Sequence, residues 1–500
     1  MNRRGFMQSS LAAAVAASLP ARRAAAAILG ASATVDADIN AVTGAGAEVT
    51  LKRAAVQELG DSLRGDLLLP GHEAYDEARR VLNASIDRYP ALVVRPRGVP
   101  DVQDAVDFAR EHDLLVAVKC GGHNVTGKST CDGGMQIDLS TLRSVRVDPR
   151  ARMARVAGGS LLAEMDHDTM AFGLVTTAGT VSHTGVGGLT LGGGFGRVAR
   201  RFGLAVDNVL GLDIVTADGR YLRADADTNP ELYWGLRGGG GNFGIVTSFD
   251  FRLHPMDRRV YGGTIAYPLS EARQILNFYA DYSANAPDDL YMDGGMVSNP
   301  QQGNAAWIHV CYSGPHDKAE QVLAPLRRAG TVLADGIGPT DYVALQKSGD
   351  ISDPRANGSY LKSGFVTEIS PAMIDDLVAG FEENPGRSMV MAWQHAGGAI
   401  NRVAPDATAF AHRHVAYDTL MLMDWPVGSD PTEHIRWLRA YWDSIDPYTR
   451  GIYANDLVDE SQQRVHGNYA GNFDRLLALK NQYDPGNLFR LNANIAPTVS

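Results

Sequence analysis

Glycine clusters constrain the fold of this chain more than any other feature of its sequence. The 500 residues include 54 glycines, a share of about 11% against an average near 7%. Many of them fall in three dense clusters and a weaker fourth: Lys119–Gly127, Gly185–Gly196, Gly238–Gly244 and Asn468–Asn472. Because glycine lacks a Cβ, its backbone can adopt positive φ and bring N–H groups close to a ligand. One cluster alone would predict a tight turn, but together they predict loops around a ligand with several phosphates or a long flat body.

The third cluster matches the dinucleotide fingerprint G-x-G-x-x-G through Gly239, Gly241 and Gly244. That fingerprint requires a strand before it and a helix after it. Here the segment Ile245–Phe251 follows, and its β-branched and aromatic residues predict a strand. The context therefore argues against a nicotinamide-dinucleotide site.

Composition excludes several classes of protein. Hydrophobic residues make up 45% and charged residues 21%, which is typical of a chain with a large folded core. The length predicts two or three domains. The net charge of −11 without a basic stripe argues against a nucleic-acid partner.

Cysteine and histidine usage argues against a metal centre. Three cysteines (Cys120, Cys131 and Cys311) are too few for a disulfide scaffold or a thiolate-built metal site. Cys120 and Cys131 either pair in an exported protein or remain two unlinked buried thiols. His412 and His414 share one strand face without a nearby carboxylate pair, so we expect no metal there.

The first residues resemble an export signal. Adjacent Arg3 and Arg4 precede the apolar run Leu11–Leu19, which is too short to span a bilayer and matches the hydrophobic region of a twin-arginine signal. We place the cleavage site near Ala27 and predict that residues 1–27 direct a bacterial protein to the periplasm or the medium, with no membrane span after their removal. The alternative is a disordered tail with a chance arginine pair. Because the twin-arginine route carries folded proteins, it is consistent with a cofactor inserted before export.

The hydrophobic periodicity predicts two domains of the α+β class. The strand Tyr89–Val94, the helix Val99–Glu111 and the strand Leu114–Val118 form a β-α-β start. After about Pro255 the glycine clusters thin out, and a second domain with an antiparallel sheet is predicted until the chain returns to the first domain near Gly451. Its predicted strands are Val260–Ala266, Ala305–Tyr312, Met389–His395 and Tyr417–Met423, and its predicted helices are Ser270–Ala284, Asp317–Ala329, Pro371–Asn384 and Thr432–Ser444.

Four stretches resemble the FAD-linked oxidases of the vanillyl-alcohol-oxidase superfamily, in the berberine-bridge-enzyme-like group. They occur in family order and spacing: Gly121–Asn124 with Cys131–Gly134, Val181–Gly188, Leu236–Val246 and Tyr483–Ile495. The resemblance implies a two-domain flavoprotein with FAD as cofactor. Residues 86–257 would form a PCMH-type FAD-binding domain, which the C-terminal segment 451–500 completes, and residues 258–450 would form an inserted substrate domain.

The resemblance also implies how the flavin is held. His123 would be bonded covalently to the methyl group of the flavin ring. The alternative is that His123 only forms hydrogen bonds within its loop. Members with two covalent links have a cysteine where this chain has Val181, so a single attachment is expected, with His183 as a structural or flavin-contacting residue. Thr184 is small and stands where the family controls oxygen access. Further flavin contacts are expected from Gly121, Gly122, Asn124, Gly127, Gly179, Ser182, Gly187, Gly188, Gly192, Gly193, Gly244, Val246, Tyr469, Asn492 and Asn494. For Tyr469 the alternative is a catalytic role.

The implied activity is oxidation of a small molecule with molecular oxygen as acceptor. Tyr453 and His395 are the candidate bases, and the alternative for His395 is a hydrogen-bonded histidine of the core. Tyr453 would need a pKa lowered from about 10 to act at neutral pH. Lys362 matches a lysine of the family, although a solvated or ion-paired role is the simpler interpretation. The substrate would be an alcohol, a sugar hemiacetal or a phenolic natural product. Alternatives are a flavin dehydrogenase that uses a quinone-like acceptor, and a non-catalytic flavin-binding protein.

Overall fold

A computed structural model describes residues 35–300, 303–351, 353, 356–383, 386–458 and 461–498. The predicted signal, residues 1–27, lies outside these residues. Within the described part of the chain, no helix is both long and apolar enough to cross a bilayer.

The β-α-β start of the first domain is confirmed. Helix Val99–Glu111 has the predicted bounds, because Gly98 precedes it in extended conformation and Pro100 fits its first turn. It buries an apolar face that includes Val102 and Val106. The sheet beside it has four strands in the order Asp66–Leu68, Leu92–Arg95, Met135–Asp138 and Val116–Lys119, of which the last three are parallel.

A second sheet of the first domain is antiparallel and has five strands. Its strand Gly244–Arg252 follows the third glycine cluster directly, as the sequence predicts, and eight of its nine residues are buried. This strand confirms that the G-x-G-x-x-G match lacks the helix of a dinucleotide site. The strand order is Tyr221–Asp225, Val209–Thr216, Gly244–Arg252, Met153–Ala157 and Val145–Asp148.

The inserted domain contains the predicted antiparallel sheet. Helices Ala272–Ala284, Ala319–Arg327, Pro371–Glu382 and Thr432–Ile445 contribute to its hydrophobic core. The strand order is Ala334–Asp335, Arg259–Pro268, Gly303–Tyr312, Leu290–Asn299, Ser388–His395, Tyr417–Pro426 and Asn357–Val366, and Gly338–Asp341 pairs with Arg259–Pro268 at the edge. The four predicted strands and four predicted helices are all present, whereas the sequence did not predict Leu290–Asn299 and Asn357–Val366.

Shorter elements connect these sheets. The remaining α-helices of the described residues are Arg53–Ser62, Tyr75–Arg79, Leu162–Met170, Val186–Leu191, Ala199–Phe202, Pro230–Leu236, Tyr342–Gln346, Gln462–Tyr469 and Phe473–Tyr483. Two further strand pairs are Ile39–Val42 with Glu48–Leu51, and Leu174–Val175 with His254–Pro255.

The three cysteines are unlinked thiols, which resolves the alternatives left open by the sequence. Burial raises the pKa of Cys120 to about 11 and that of Cys131 to about 12. Both thiols are therefore protonated at neutral pH and poorly reactive. Among the described residues no group of three metal-ligating side chains occurs, and the Nε2–H of His412 donates to the Asn468 carbonyl at 2.7 Å.

A buried ion pair holds the C-terminal segment against the first domain. The ammonium of Lys480 lies 2.7 Å from the carboxylate of Asp484, and neither side chain is exposed. The same ammonium donates to the carbonyls of Asn242 and Phe489, each at 3.0 Å. The backbone N–H groups of Leu488 and Phe489 donate to the Asp484 carboxylate. Helix Phe473–Tyr483, the chain end and the third glycine cluster are thus joined through one pair of charges.

Replacing Asp484 with alanine is expected to destabilise the protein strongly, because it leaves the Lys480 ammonium buried without its counter-charge. Removal of one partner of a buried pair costs about 3–5 kcal/mol. Thermal unfolding should show a midpoint several degrees lower. Asp474→Ala removes an exposed carboxylate from the same helix and serves as the control. Equal midpoints for the two variants would show that the ion pair does not hold this segment.

Candidate functional site

A cavity of about 380 Å³ lies among the glycine loops of the first domain and the C-terminal segment. Its lining residues come from five stretches of the chain, within 116–129, 184–191, 240–246, 453–456 and 489–493, together with Leu139 and Gly158. The first three glycine clusters therefore meet at one site, and the weaker fourth does not line it. The volume is in the usual range for a small-molecule or cofactor site.

Two glycine loops touch along one wall of this cavity. A Cβ added to Gly121 would lie 2.3 Å from the amide nitrogen of Gly185, and a Cβ added to Gly185 would lie 2.4 Å from the Sγ of Cys120. No side chain fits at either position without separating the loops. The sequence requires glycine at these two positions because the backbones approach so closely.

This contact brings two histidines together. The Nε2 of His123 lies 2.7 Å from the Nδ1 of His183, and the rings are tilted by 40° with centroids 4.7 Å apart. The other nitrogen of His123, Nδ1, lies 3.3 Å from the hydroxyl of Thr184. Burial, together with the neighbouring His183 ring, lowers the pKa of His123 to about 4. His123 is therefore a neutral imidazole with a lone pair at neutral pH.

A segment of the inserted domain covers the second histidine. The backbone N–H and the hydroxyl of Ser182 both donate to the carboxylate of Asp350, each at 2.7 Å. The backbone N–H of Ile351 then donates to the Nε2 of His183 at 3.2 Å. The inserted domain thus contributes to the surroundings of His123, although none of its described residues lines the cavity.

Tyr453, Asn455 and Asp456 form another wall. The phenol oxygen of Tyr453 accepts from the N–H of Gly194 at 2.9 Å and from the side-chain amide of Asn455 at 2.8 Å. Burial nevertheless raises the pKa of Tyr453, which is opposite to what a base at neutral pH requires.

Asp456 meets that requirement better. It lines the cavity, and desolvation raises the pKa of its carboxyl to about 7. The buried Asp418 lies close enough to Asp456 for the two carboxylate charges to interact. Burial is the main cause that raises the pKa of Asp418, and the charge of Asp456 raises it further.

The lining fits a polar, elongated cofactor such as FAD. The hydroxyl of Ser129 and the side-chain carbonyl of Asn492 are buried and bond to no atom of the described residues. Buried polar groups of this kind are normally satisfied, and a ligand in the cavity would satisfy these two. The ammonium of Lys128 donates to the backbone carbonyl of Asn492 at 3.1 Å and adds positive charge on the same side.

Most of the predicted cofactor residues do line the cavity. They are Gly121, Gly122, His123, Asn124, Thr184, Gly187, Gly188, Gly244, Val246 and Asn492, and the predicted catalytic residue Tyr453 joins them.

Other predicted residues lie behind the lining. Ser182 and His183 stand behind His123. A Cβ on Gly192 would meet the side chain of Asn455, and a Cβ on Gly193 would meet the rings of Phe410 and Tyr453. Gly179 accepts a hydrogen bond from Gln346, while a Cβ on Gly127 would meet Ile86. The Tyr469 hydroxyl lies 3.2 Å from the Gly239 carbonyl, and the Asn494 carbonyl accepts from Gln462.

His395 lies outside the cavity lining. It is on the predicted strand, but the Nη1 of Arg200 donates to its Nε2 at 2.9 Å and the ring stacks on Tyr417. Burial and the Arg200 charge lower its pKa well below the usual range. The structure therefore places His395 in a hydrogen-bonded core position without contact to the cavity. Lys362 lines a small separate cavity that shares only Asp456 with the main one.

Sequence reasoning missed Asp456, Asn455, Lys128, Ser129 and Asp350. Asn455 and Asp456 follow Tyr453 directly, and Lys128 and Ser129 follow the first cluster, so proximity along the chain could have indicated these four. Asp350 carries no such signal, since it lies 168 residues from its partner Ser182.

Comparison with known proteins identifies the family. The profile of the FAD binding domain matches residues 90–225, and that of the berberine and berberine-like segment matches residues 452–496. An FAD-linked oxidoreductase of Dictyostelium discoideum is 32% identical over 447 residues, which cover 88% of this chain and 97% of that protein. Xylooligosaccharide oxidase of Thermothelomyces thermophilus is 27% identical over 493 residues, 91% of this chain and 97% of that protein.

A solved structure shares the fold. The crystal structure of 6-hydroxy-D-nicotine oxidase from Arthrobacter nicotinovorans matches with a TM-score of 0.80 at 26% identity, covering 87% of this chain and 98% of that one. The match extends over both domains, as the predicted α+β fold requires. The chain is an enzyme that uses FAD, and it belongs to the FAD-linked oxidases of the vanillyl-alcohol-oxidase superfamily, in the berberine-bridge-enzyme-like group.

Proposed function

We propose that this chain is an exported oxidase whose FAD is bonded to His123 by a single covalent link and whose electron acceptor is molecular oxygen. The observation that carries the proposal is the position of His123, a neutral imidazole that lines a glycine-walled cavity. No cysteine stands at Val181 to supply a second link. The presence of FAD follows from the family; the covalent bond and the acceptor are the proposal.

The residues of the cavity would bind the cofactor along its length. The glycine loops allow backbone N–H groups to approach the phosphates, while Asn124, Ser129 and Asn492 offer polar side chains. When bound, FAD supplies the two-electron acceptor for the substrate C–H bond. The protein supplies orientation, exclusion of water and a group that moves a proton.

Asp456 is the proposed proton acceptor. Its carboxylate form is available near neutral pH, and it would remove the proton from the substrate hydroxyl or amine. Both lone pairs of the Tyr453 oxygen accept N–H donors, so its own O–H is left to donate to the substrate. Tyr453 is therefore proposed to hold the substrate oxygen or nitrogen in place.

The substrate is proposed to be a small molecule whose oxidised carbon bears oxygen or nitrogen. The relatives include one named for xylooligosaccharides and one for 6-hydroxy-D-nicotine, so sugar hemiacetals, alcohols and phenolic or heterocyclic natural products form the proposed class. The small side chain of Thr184, beside His123, supports access of oxygen. Residues 1–27 support export to the periplasm or the medium.

Oxidase activity is tested by supplying molecular oxygen as the electron acceptor. The purified protein should release hydrogen peroxide in air when given sugars, alcohols or phenols, with one peroxide formed for each oxygen consumed. An oxygen electrode and a peroxidase-coupled assay measure the two quantities. Turnover with a quinone-like acceptor but none with oxygen would identify a dehydrogenase instead, and no turnover with either would favour a binding protein.

Covalent attachment predicts that acid does not release the flavin. The protein should precipitate yellow in trichloroacetic acid, and His123→Ala should lose its colour to the supernatant, because no other ring nitrogen lines the cavity among the described residues. His112→Ala, which alters a histidine outside the cavity, is the control and should stay yellow. A yellow His123→Ala pellet would place the attachment at another residue.

The role of Asp456 predicts the pH profile. A carboxyl with a pKa of about 7 must lose its proton to act as a base, so log kcat/KM should rise with pH up to about 7 and then level off. Asp456→Asn should lose this ionisation and lower kcat/KM by about 10²–10⁴-fold.

The exposed Asp443→Asn is the matched control and should keep both the activity and the profile. If Asp456→Asn retained the rise toward pH 7, another group would be the base, and Tyr453→Phe would then be examined in the same assay.

A further inference from the structure

A second, smaller cavity lies behind Asp456. Its volume is about 30 Å³, and among the described residues Asp456 alone lines both this small cavity and the cofactor cavity. The other polar residues that line the small cavity are Lys362, Ser363, Asp446 and Arg464. The space is large enough for a water molecule, and a water there would have several polar partners, as a buried water requires.

The hydroxyl of Ser363 indicates where this water binds. The residue is 6% exposed, and its hydroxyl oxygen forms no hydrogen bond to any atom of the described residues. Burial raises the pKa of the Asp456 carboxyl to about 7, and the nearby Ser363 hydroxyl acts in the opposite direction and lowers it. Two polar groups that interact without a direct hydrogen bond are typically bridged by water, and a bridging water would also satisfy the buried hydroxyl.

The small cavity also touches the protein surface. The carboxylate of Asp446 accepts from the Nε1–H of Trp442 at 3.1 Å and lies 3.9 Å from Nη1 of Arg464. The side chains of Asp446 and Arg464 are 42% and 45% exposed. The small cavity therefore joins a carboxyl of the cofactor cavity to a carboxylate that is in contact with solvent.

The neighbouring carboxyl of Asp418 is not an acceptor for a proton from Asp456. It is buried, and it lines neither of the two cavities. Because burial and the charge of Asp456 raise the pKa of Asp418, Asp418 keeps its own proton and has no site for a second one. A bound cofactor and substrate would occupy the cofactor cavity, so the small cavity is the route from Asp456 to solvent.

We propose that the substrate proton leaves the active site through the small cavity, and that Ser363 is a positioning residue that holds the water of this path against Asp456. The inference rests on the proposed role of Asp456 as the base. It adds a path for the proton and a residue that maintains this path.

The proton count closes over one turnover. The proton of the substrate hydroxyl or amine passes to the Asp456 carboxylate, while hydride passes from the substrate carbon to the flavin. The Asp456 carboxyl then gives its proton to the water, which passes one of its own protons to Asp446 and so to solvent. Dioxygen later takes up the equivalent of the hydride and one proton from solvent to form hydrogen peroxide, and both carboxylates return to their starting state.

The charges around the small cavity favour a relay over a free hydronium ion. Lys362 and Arg464 both line it, and their positive charges would oppose a hydronium ion beside them. A water that accepts one proton while it donates another stays neutral. The carboxylate of Asp446 supplies the acceptor that such a relay needs at its outer end.

The first test is a high-resolution crystal structure of the holoenzyme, which needs no substrate. The wild-type protein should contain an ordered water within hydrogen-bonding distance of the Ser363 hydroxyl and the Asp456 carboxyl. Ser363→Val should lose this water, because the added methyl groups fill the space and the hydroxyl is gone. Ser363→Thr keeps the hydroxyl and should keep the water. A wild-type structure without a water at this place would overturn the inference.

The second test follows proton release while the flavin is reduced without oxygen by the sugar, alcohol or phenol that gives the most peroxide in the oxygen assay. A pH indicator in weakly buffered solution reports the proton, and the loss of flavin absorbance reports the hydride. The two signals should coincide in the wild-type protein. In Ser363→Val the proton signal should lag, with a rate constant about tenfold lower, as expected for the loss of one hydrogen-bonded contact. Ser363→Thr should restore most of this rate.

Ser359→Val is the matched control. Ser359 lies on the same strand, Asn357–Val366, but outside the small cavity, so both signals should stay as in the wild-type protein. Coincident signals in Ser363→Val would overturn the proposed path while leaving Asp456 as the base. Flavin reduction in Asp456→Asn at the wild-type rate would instead overturn the proposed base, and the path with it.

Discussion

The contact between the backbones at Gly121 and Gly185 is the constraint on which the rest of the site depends. At this point the loop after strand Val116–Lys119 lies directly against the loop that leads into helix Val186–Leu191. The contact sets the distance between His123 and His183. A methyl group at either glycine would separate the loops, and the histidine pair would separate with them. Both positions therefore require glycine, and the loop contact that glycine allows determines where the two histidines of the cofactor site lie.

The cavity joins parts of the chain that are far apart in sequence. Its walls come from the first half of the chain and from residues 453–493, and the Lys480–Asp484 pair keeps the end of the chain in position through the carbonyl of Asn242. The inserted domain adds a further constraint through Asp350 and Ile351. These long-range connections consist of buried charges and hydrogen bonds, which are directional. Apolar side chains pack against the sheets that lie between them.

The sequence predicted the secondary structure well where local rules decide it. Helix Val99–Glu111 was predicted residue for residue because Pro100 and Asp101 mark its start. Strand Leu290–Asn299 was missed because Asp293, Gly294 and Gly295 in its middle are typical of a turn. In the structure, neighbours on both sides pair with this segment, and their hydrogen bonds override its weak propensity.

The residues of the site were also predictable only where local sequence rules decide their position. The glycine loops could be found because the need for glycine is local, whereas the Ser182–Asp350 contact spans 168 residues and leaves no pattern in the sequence. Strand alternation correctly gave the strand of His395, but alternation cannot show what lies opposite a side chain. In the structure Arg200 of the first domain occupies that space and holds the ring.

The origin of the cavity walls has a consequence for biosynthesis. Phe489, Leu491, Asn492 and Ala493 line the site, and they leave the ribosome long after the glycine loops that they face. A nascent chain cannot enclose its cofactor until these residues have emerged, so the glycine loops are made well before the site can close. The bound flavin then becomes a marker of a correctly closed molecule, and a chain interrupted before Phe489 would lack that marker however well its sheets had formed.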